Sequence, residues 1–296
     1  MAAVVQVEGL TKNYGARPAV IDLEFAVEQG EVFGYLGPNG AGKTTTIRLL
    51  LDLIRPTAGR AEIFGRDTRR ESVGVRRRLG YLPGDARLYE RMTGGELIEY
   101  FASLRGLGDL AEAKRLADRF ALDLDLPIRT LSRGNRQKVG IVQAFMHRPD
   151  LVVLDEPTSG LDPLMQQEFA DLLRETTAEG RTVFLSSHAL PEVQQVADRV
   201  AVIREGRLVI VDTVEHLRVR APGRMEVSFA AAPPANAFDG LPGVREVERH
   251  GTTVSFVLAG PADPLVKAIA RYEVLGIDSH EADLEDVFLS LYGRDS

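Results

Sequence analysis

Between residues 31 and 54 the chain passes from a short apolar stretch through a glycine loop into an amphipathic segment, an order that few folds can accommodate. The loop Gly37-Pro38-Asn39-Gly40-Ala41-Gly42-Lys43-Thr44 satisfies G-x-x-x-x-G-K-[ST]. Glu31 to Leu36 before it reads as a buried strand. After it, Thr44 to Ile54 places Ile47, Leu50, Leu51 and Ile54 on one helical face. Glycines let such a loop curl until several backbone N–H groups converge on phosphate at the positive end of a helix dipole. Lys43 adds a mobile charge for the β- and γ-phosphates, and the Thr44 hydroxyl is a ligand suited to Mg²⁺. A chance glycine turn would lack the strand and helix on either side, so the segment predicts binding of a nucleoside triphosphate with Mg²⁺.

A chain of 296 residues, 44% hydrophobic and 27% charged, can bury a core and form one large or two ordinary domains. Its 43 acidic against 36 basic residues give a net charge of −7, so no general positive field holds a nucleic acid. The run Arg76-Arg77-Arg78, with Arg69 and Arg70 ahead of it, reads as a solvated helix face in preference to a phosphate patch. Cysteine is absent, which excludes disulfides, cysteine-ligated zinc and thiol catalysis. No apolar run approaches the roughly 20 residues that span a bilayer, and the N-terminus lacks the pattern of a secretion signal. Any membrane role is therefore expected through a partner.

Val4 to Leu10 and Val20 to Val27 alternate as half-buried strands and predict an antiparallel N-terminal layer. A turn at Arg55 to Gly59 and strands at Ala61 to Phe64 and Leu79 to Leu82 follow. Helices are expected at Glu96 to Leu104, Leu110 to Phe120 and Arg136 to Phe145, a helical insertion covering residues 85–148. Short apolar runs at Leu151 to Leu154, Thr182 to Ser186, Arg199 to Ile203 and Arg207 to Val211, with a helix from Pro163 to Glu179, predict a mostly parallel sheet covered on both faces. The segment Arg220-Ala221-Pro222-Gly223-Arg224 reads as a linker, dividing a domain at 1–220 from a small α+β domain at 221–296. That second domain is expected to hold strands at Met225 to Phe229, Val244 to Glu248 and Thr253 to Leu258, with helices near Pro264 to Ala270 and Leu284 to Leu291.

Leu151-Val152-Val153-Leu154 ends in Asp155-Glu156, the arrangement that presents carboxylates at the end of a buried strand. Asp155 is placed to hold Mg²⁺ and Glu156 to polarise the water that attacks the γ-phosphate. A strand capped by a polar turn gives the same string, but not in company with a phosphate loop. Three further pieces are Leu131-Ser132-Arg133-Gly134-Asn135, Ser159-Gly160-Leu161-Asp162 and Ser187-His188, with Tyr14 ahead of the loop.

In this order the motifs, over residues 4–215, resemble the nucleotide-binding domain of ATP-binding cassette proteins. The resemblance implies a P-loop α/β fold with an antiparallel layer and a helical subdomain. It implies Tyr14 stacking on adenine, Gly37 to Thr45 holding the phosphates, Thr44 and Asp155 on Mg²⁺, Glu156 as base and His188 on the γ-phosphate. It further implies that Ser132, Arg133, Gly134 and Asn135 act on a partner's nucleotide and that Ser159 to Asp162 form a dimer loop, because two cassettes of this family face head to tail. A cassette dimer, of identical or paralogous chains, is therefore expected.

Two departures from the family stand out. Tyr81-Leu82-Pro83 is followed by Gly84 and Asp85 where a glutamine is usual, so Asp85 substitutes for the γ-phosphate sensor or the loop acts as a hinge. The signature reads Ser-Arg-Gly-Asn where Ser-Gly-Gly-Gln is usual. Leu284 to Gly293 resembles the ending of bacterial cassettes that drive drug, antibiotic or polysaccharide exporters with a separate permease docked near Pro83 to Thr93. The resemblance thus implies an ATPase at the cytoplasmic face of the membrane, energising export of an amphipathic substrate. The alternatives are an importer cassette or a soluble ATPase that remodels nucleic acid or ribosomes, although such soluble relatives usually carry two cassettes, a coiled coil or zinc cysteines. A small-molecule kinase would leave Ser132 and Gly134 without a role.

Overall fold

The computed structural model describes residues 3–85, 88–220, 223–258 and 261–280. Alternating apolar residues make β1 (Ala3–Tyr14) and β2 (Arg17–Glu28) an antiparallel pair, with Val7 opposite Phe25 and Leu10 opposite Leu23. β3 (Val32–Leu36) is buried throughout and leads through the glycine loop into α1 (Lys43–Leu50). β4 (Ala58–Ile63) and β5 (Arg66–Asp67) complete the antiparallel sheet in the order β2-β1-β4-β5. Next come α2 (Ser72–Arg77), β6 (Leu79–Leu82), α3 (Gly94–Arg105), α4 (Ala111–Arg119), α5 (Arg133–Phe145) and β7 (Leu151–Asp155). The chain continues with α6 (Pro163–Ala178), β8 (Thr182–Ser187), α7 (Leu190–Val196), β9 (Arg199–Arg204) and β10 (Arg207–Thr213).

The second sheet runs β10-β9-β3-β8-β7-β6, and its pairs from β9 to β6 are parallel. Its strands are near-continuous apolar runs because helices cover a parallel sheet on both faces. One cluster of buried side chains, including Val7, Leu23, Phe25, Ile47, Leu50, Ile63, Tyr35 and Phe184, joins the antiparallel sheet, α1 and the parallel sheet. Phe33 stacks on both Phe25 and Phe184, with ring centroids 5.7 and 5.8 Å apart, and Phe25 and Phe184 meet tilted at 6.2 Å. At about 25 cal/mol per Å² of apolar surface, three buried rings contribute several kcal/mol to holding the layers together.

One expected extent needs correction. α1 ends at Leu50 and does not reach Ile54, because Asp52 takes a left-handed φ of 55° that a helix cannot continue through. The chain divides into compact units at Met1–Asp212 and Thr213–Ser296, ahead of the boundary expected after residue 220. The second unit begins with α8 (Val214–Arg220). That unit contains β11 (Gly223–Phe229), β12 (Val244–His250), β13 (Thr253–Leu258), α9 (Asp263–Ile269) and an unforeseen edge strand, β14 (Val274–His280). Its antiparallel sheet runs β12-β13-β11-β14, and Leu265 and Ile269 of α9 share a separate core with Phe229, Phe238 and Phe256. The helix expected at 284–291 lies outside the described residues.

Arg76 and Arg77 are exposed on α2, as expected of a solvated face. Arg78 lies over the Phe64 ring at 3.9 Å and pairs with Asp150 at 2.6 Å. Nearby, His147 donates from Nε2 to the Leu79 carbonyl oxygen at 3.2 Å, which leaves Nδ1 buried with no hydrogen-bond partner. Burial, and then the Arg105 charge, push its pKa down to about 4. An unfolded histidine titrates near 6.5, so below that pH the unfolded chain takes up a proton that the folded chain refuses. Stability is therefore fully present above pH ~6.5 and falls as the pH drops toward 4. Urea unfolding is expected to show a loss of about 1 kcal/mol between pH 7 and 5, after discounting for partial exposure, and His147→Gln is expected to flatten that slope.

Candidate functional site

The parallel register aligns the strand ends: Leu36 is opposite Ser187, Asp155 opposite Ser186, and Leu82 opposite Leu154. Gly37, Pro83, Glu156 and His188 consequently leave the sheet at one edge, the carboxyl edge where open α/β sheets bind ligands. Gly42 caps α1 at φ 112°, and a Cβ there would stand 2.7 Å from the Ala19 carbonyl oxygen. Only glycine fits both demands.

Lys43 is 6% exposed. Its Nζ lies 2.7 Å from the Gly37 carbonyl oxygen, 3.3 Å from that of Pro38 and 3.2 Å from Glu156 Oε1. The other Glu156 oxygen, Oε2, is 2.7 Å from His188 Nδ1. Lysine, glutamate and histidine thus form a chain across the site. The Thr44 hydroxyl donates to Asp155 Oδ2 at 2.8 Å, and the buried Ser186 hydroxyl donates to Oδ1 at 2.6 Å. Both oxygens of a carboxylate that is 2% exposed are therefore held in place.

Glu156 has a left-handed φ of 50°, a conformation that costs a non-glycine residue about 1 kcal/mol or more and persists only where the surroundings fix it. On one side its N–H donates to the Ser186 carbonyl oxygen at 3.1 Å. On the other, Gln137 Nε2 donates to the carbonyl oxygens of Glu156 and Pro157, at 3.4 and 2.8 Å.

The signature residues open α5. The Ser132 hydroxyl accepts from the Asn135 N–H at 3.2 Å as a helix cap, and Arg133 Nη2 donates to Ser159 Oγ at 2.6 Å. Gly134 has a local reason to be glycine, since a Cβ would meet the Gly160 carbonyl oxygen at 2.5 Å. Leu161 is buried, and Asp162 caps α6 by accepting from the Met165 N–H at 3.0 Å.

A cleft of about 750 Å³ lies over these groups, within the usual range for a small-molecule site. Asn39, Thr44, Asp155, Glu156 and His188 line it together with Gly84 and Asp85, which follow β6. A Cβ on Gly84 would stand 3.3 Å from the Asp155 carbonyl oxygen and 3.4 Å from Oδ2, so a larger residue there would press on that carboxylate. Tyr14 is not among the lining residues. It ends β1 half exposed, with Lys12 Nζ 5.2 Å above its ring. Thr45 is partly buried on α1 and does not line the cleft either.

Several contributors had no role assigned from the sequence. Arg48 and Tyr81 also line the cleft, and burial followed by the Asp155 charge pushes the Tyr81 phenol up to about 12, keeping it protonated. Glu192 Oε2 accepts from Thr158 Oγ1 at 2.7 Å and from Ser187 Oγ at 2.9 Å, tying the segment after Glu156 to the end of β8. The available signal was positional: Ser186 neighbours Asp155 at the carboxyl edge of adjacent parallel strands.

The family model described as ABC transporter matches residues 20–159. The chain is 34% identical over 316 residues to the bacitracin transport ATP-binding protein BcrA of Bacillus licheniformis, covering 99% of this chain and 98% of that one. It is 35% identical over 310 residues to the daunorubicin resistance ATP-binding protein DrrA3 of Streptomyces coeruleorubidus, covering 98% and 96%. Among solved structures, an ATP-binding subunit of an ABC transporter matches with TM-score 0.68 and 33% identity over 73% of this chain and 92% of that one. A bacterial Atm1-family ABC exporter with ATP bound matches with TM-score 0.66 and 28% identity over 72% of this chain and 39% of that one. With the loop, the strand-end carboxylates and the signature helix arranged on this fold, the chain belongs to the ATP-binding cassette transporter family and is an ATP-binding, ATP-hydrolysing subunit.

Proposed function

We propose that the chain energises export of a drug-like, antibiotic or other amphipathic molecule through a separate membrane permease. The observation that carries this reading is the continuous Lys43–Glu156–His188 chain, whose Glu156 and His188 line one cleft together with the Thr44–Asp155 pair. Near-full-length likeness to subunits named for bacitracin transport and daunorubicin resistance supports export over import or ribosome remodelling. Among the described residues no helix is long and apolar enough to cross a membrane. In this reading the permease supplies the path and holds the chain at the cytoplasmic face.

The donor set suits Mg²⁺, because a hydroxyl and a carboxylate 2.8 Å apart are hard oxygen ligands, and this ion is usually held by one or two protein groups plus phosphate. Thr44 and Asp155 would hold it, and it would neutralise charge on the transferring phosphoryl group. Lys43 and the loop from Gly37 to Thr45 bind the phosphates. Glu156 accepts the proton of the attacking water, and His188 positions Glu156 through Nδ1 while facing the γ-phosphate. Tyr14 stacks on adenine from outside the phosphate cleft. Ser132 and its neighbours cap the nucleotide of a second cassette, and Ser159 to Asp162 line the dimer contact.

Purification of the tagged chain from detergent-solubilised membranes tests the assignment. The expected result is a co-purifying membrane-spanning protein whose reconstitution raises ATP turnover several-fold when an amphipathic cargo is present. Recovery only from the soluble fraction, with turnover stimulated by ribosomes, would refute export.

A further inference from the structure

The start of α5 carries the residues proposed to cap a partner's nucleotide, and its first two turns also grip the segment that carries this chain's own base. Gln137 holds the carbonyls of Glu156 and Pro157. One turn earlier, Arg133 Nη2 donates to Ser159 Oγ at 2.6 Å, and the Arg133 stem lies over Gly160, its Cγ 3.3 Å from where a Cβ would stand. Gly134 closes the contact, its own virtual Cβ 2.5 Å from the Gly160 carbonyl oxygen. The glycine usual at position 133 has no side chain with which to make the serine bond, so this tie belongs to the Ser-Arg-Gly-Asn variant of the signature.

Its place gives it leverage. Arg133, Ser159 and Glu156 line the same cleft, and Ser159 follows Glu156 by three residues. Glu156 sits at a φ of 50°, so its pose depends on how firmly both flanks are fixed. Ser186 fixes the flank toward β7, and α5 fixes the other.

We propose that Arg133 is a positioning residue for Glu156: by clamping Ser159 to the signature turn, it transmits engagement of the partner's nucleotide at α5 to the base of this chain's own site. The inference rests on the two-cassette reading above. The clamp is a two-ended element that both sites bias, as coupling between sites requires.

The test is a double-mutant cycle on the full chain with Arg133→Ala, Ser159→Ala and both, reading kcat, KM for ATP and the Hill coefficient. Each single change is expected to lower kcat roughly five- to tenfold, with KM unchanged in Ser159→Ala, the double change to lower kcat no further, and the Hill coefficient to fall toward about 1. Arg133→Lys, which keeps a donor at that point, is expected to recover part of kcat. Additive losses, a rise in KM at constant kcat, or wild-type kinetics in Arg133→Ala would each overturn the clamp. Failure of the underlying reading looks different: the wild-type chain would then remain a monomer with ATP whatever the cycle shows.

Discussion

Glu156→Gln is expected to lower ATP turnover by roughly three orders of magnitude while ATP remains bound, because a general base contributes about 10² to 10⁴ in rate. Glutamine keeps the size of the side chain at the end of β7 but cannot accept the proton of the attacking water. It also removes the negative partner of Lys43, 3.2 Å away, and of His188, 2.7 Å away. Loss of the Lys43 pair leaves that ammonium with the Gly37 and Pro38 carbonyls and the phosphates, so affinity for ATP is expected to hold or rise. Single-turnover kinetics with equilibrium binding separates the two effects. A variant that hydrolyses ATP within tenfold of the wild-type rate would remove Glu156 from the role of base.

Lys43→Ala is expected to act on the other side of the same pair. Lys43 is 6% exposed and, in the proposed site, is the charged group that the glycine loop presents to phosphate. The truncation removes the ammonium that would pair with the ATP phosphates, and losing one partner of such a desolvated charge pair costs about 2 to 5 kcal/mol, so affinity for ATP is expected to fall roughly a hundredfold or more. The variant also leaves Glu156 without its lysine, and raising ATP would restore binding without restoring turnover in full. Unchanged affinity in calorimetry or by a fluorescent ATP analogue would show that the loop does not hold the phosphates.

Much of this was readable in the chain because the chemistry lies in contiguous strings. Gly37 to Thr44 needs a strand before it and a helix after it, and β3 and α1 take those places. Leu151 to Glu156 reads as a buried strand ending in carboxylates, and β7 ends at Asp155. What could not be read is what the sheet brings together across long separations. Ser186 reaches Asp155 only because β7 and β8 pair in parallel, and Gln137 reaches Pro157 only because α5 packs beside that strand end.

Local conformation hid other features. Asp52 at φ 55° ends α1 early although the apolar spacing continues to Ile54, because the spacing records burial and not backbone angle. β14 is an edge strand whose Leu275 and Ile277 are exposed, so it lacks the half-buried alternation by which strands are recognised. Gly134 read as a contact to a partner's nucleotide, yet the Gly160 carbonyl requires glycine there in any case. One residue can therefore serve a structural and a functional demand, and a string of letters cannot separate them.

Light scattering on Glu156→Gln addresses the two-cassette site most directly. With ATP and Mg²⁺ the mass is expected to double from that of one chain to that of two. Adding Ser132→Trp, which puts a bulky ring where the signature turn would meet the partner's nucleotide, is expected to return it to one chain while ATP still binds through Lys43. A single-chain mass in saturating ATP, together with full wild-type turnover in Ser132→Trp, would contradict a site shared between two copies.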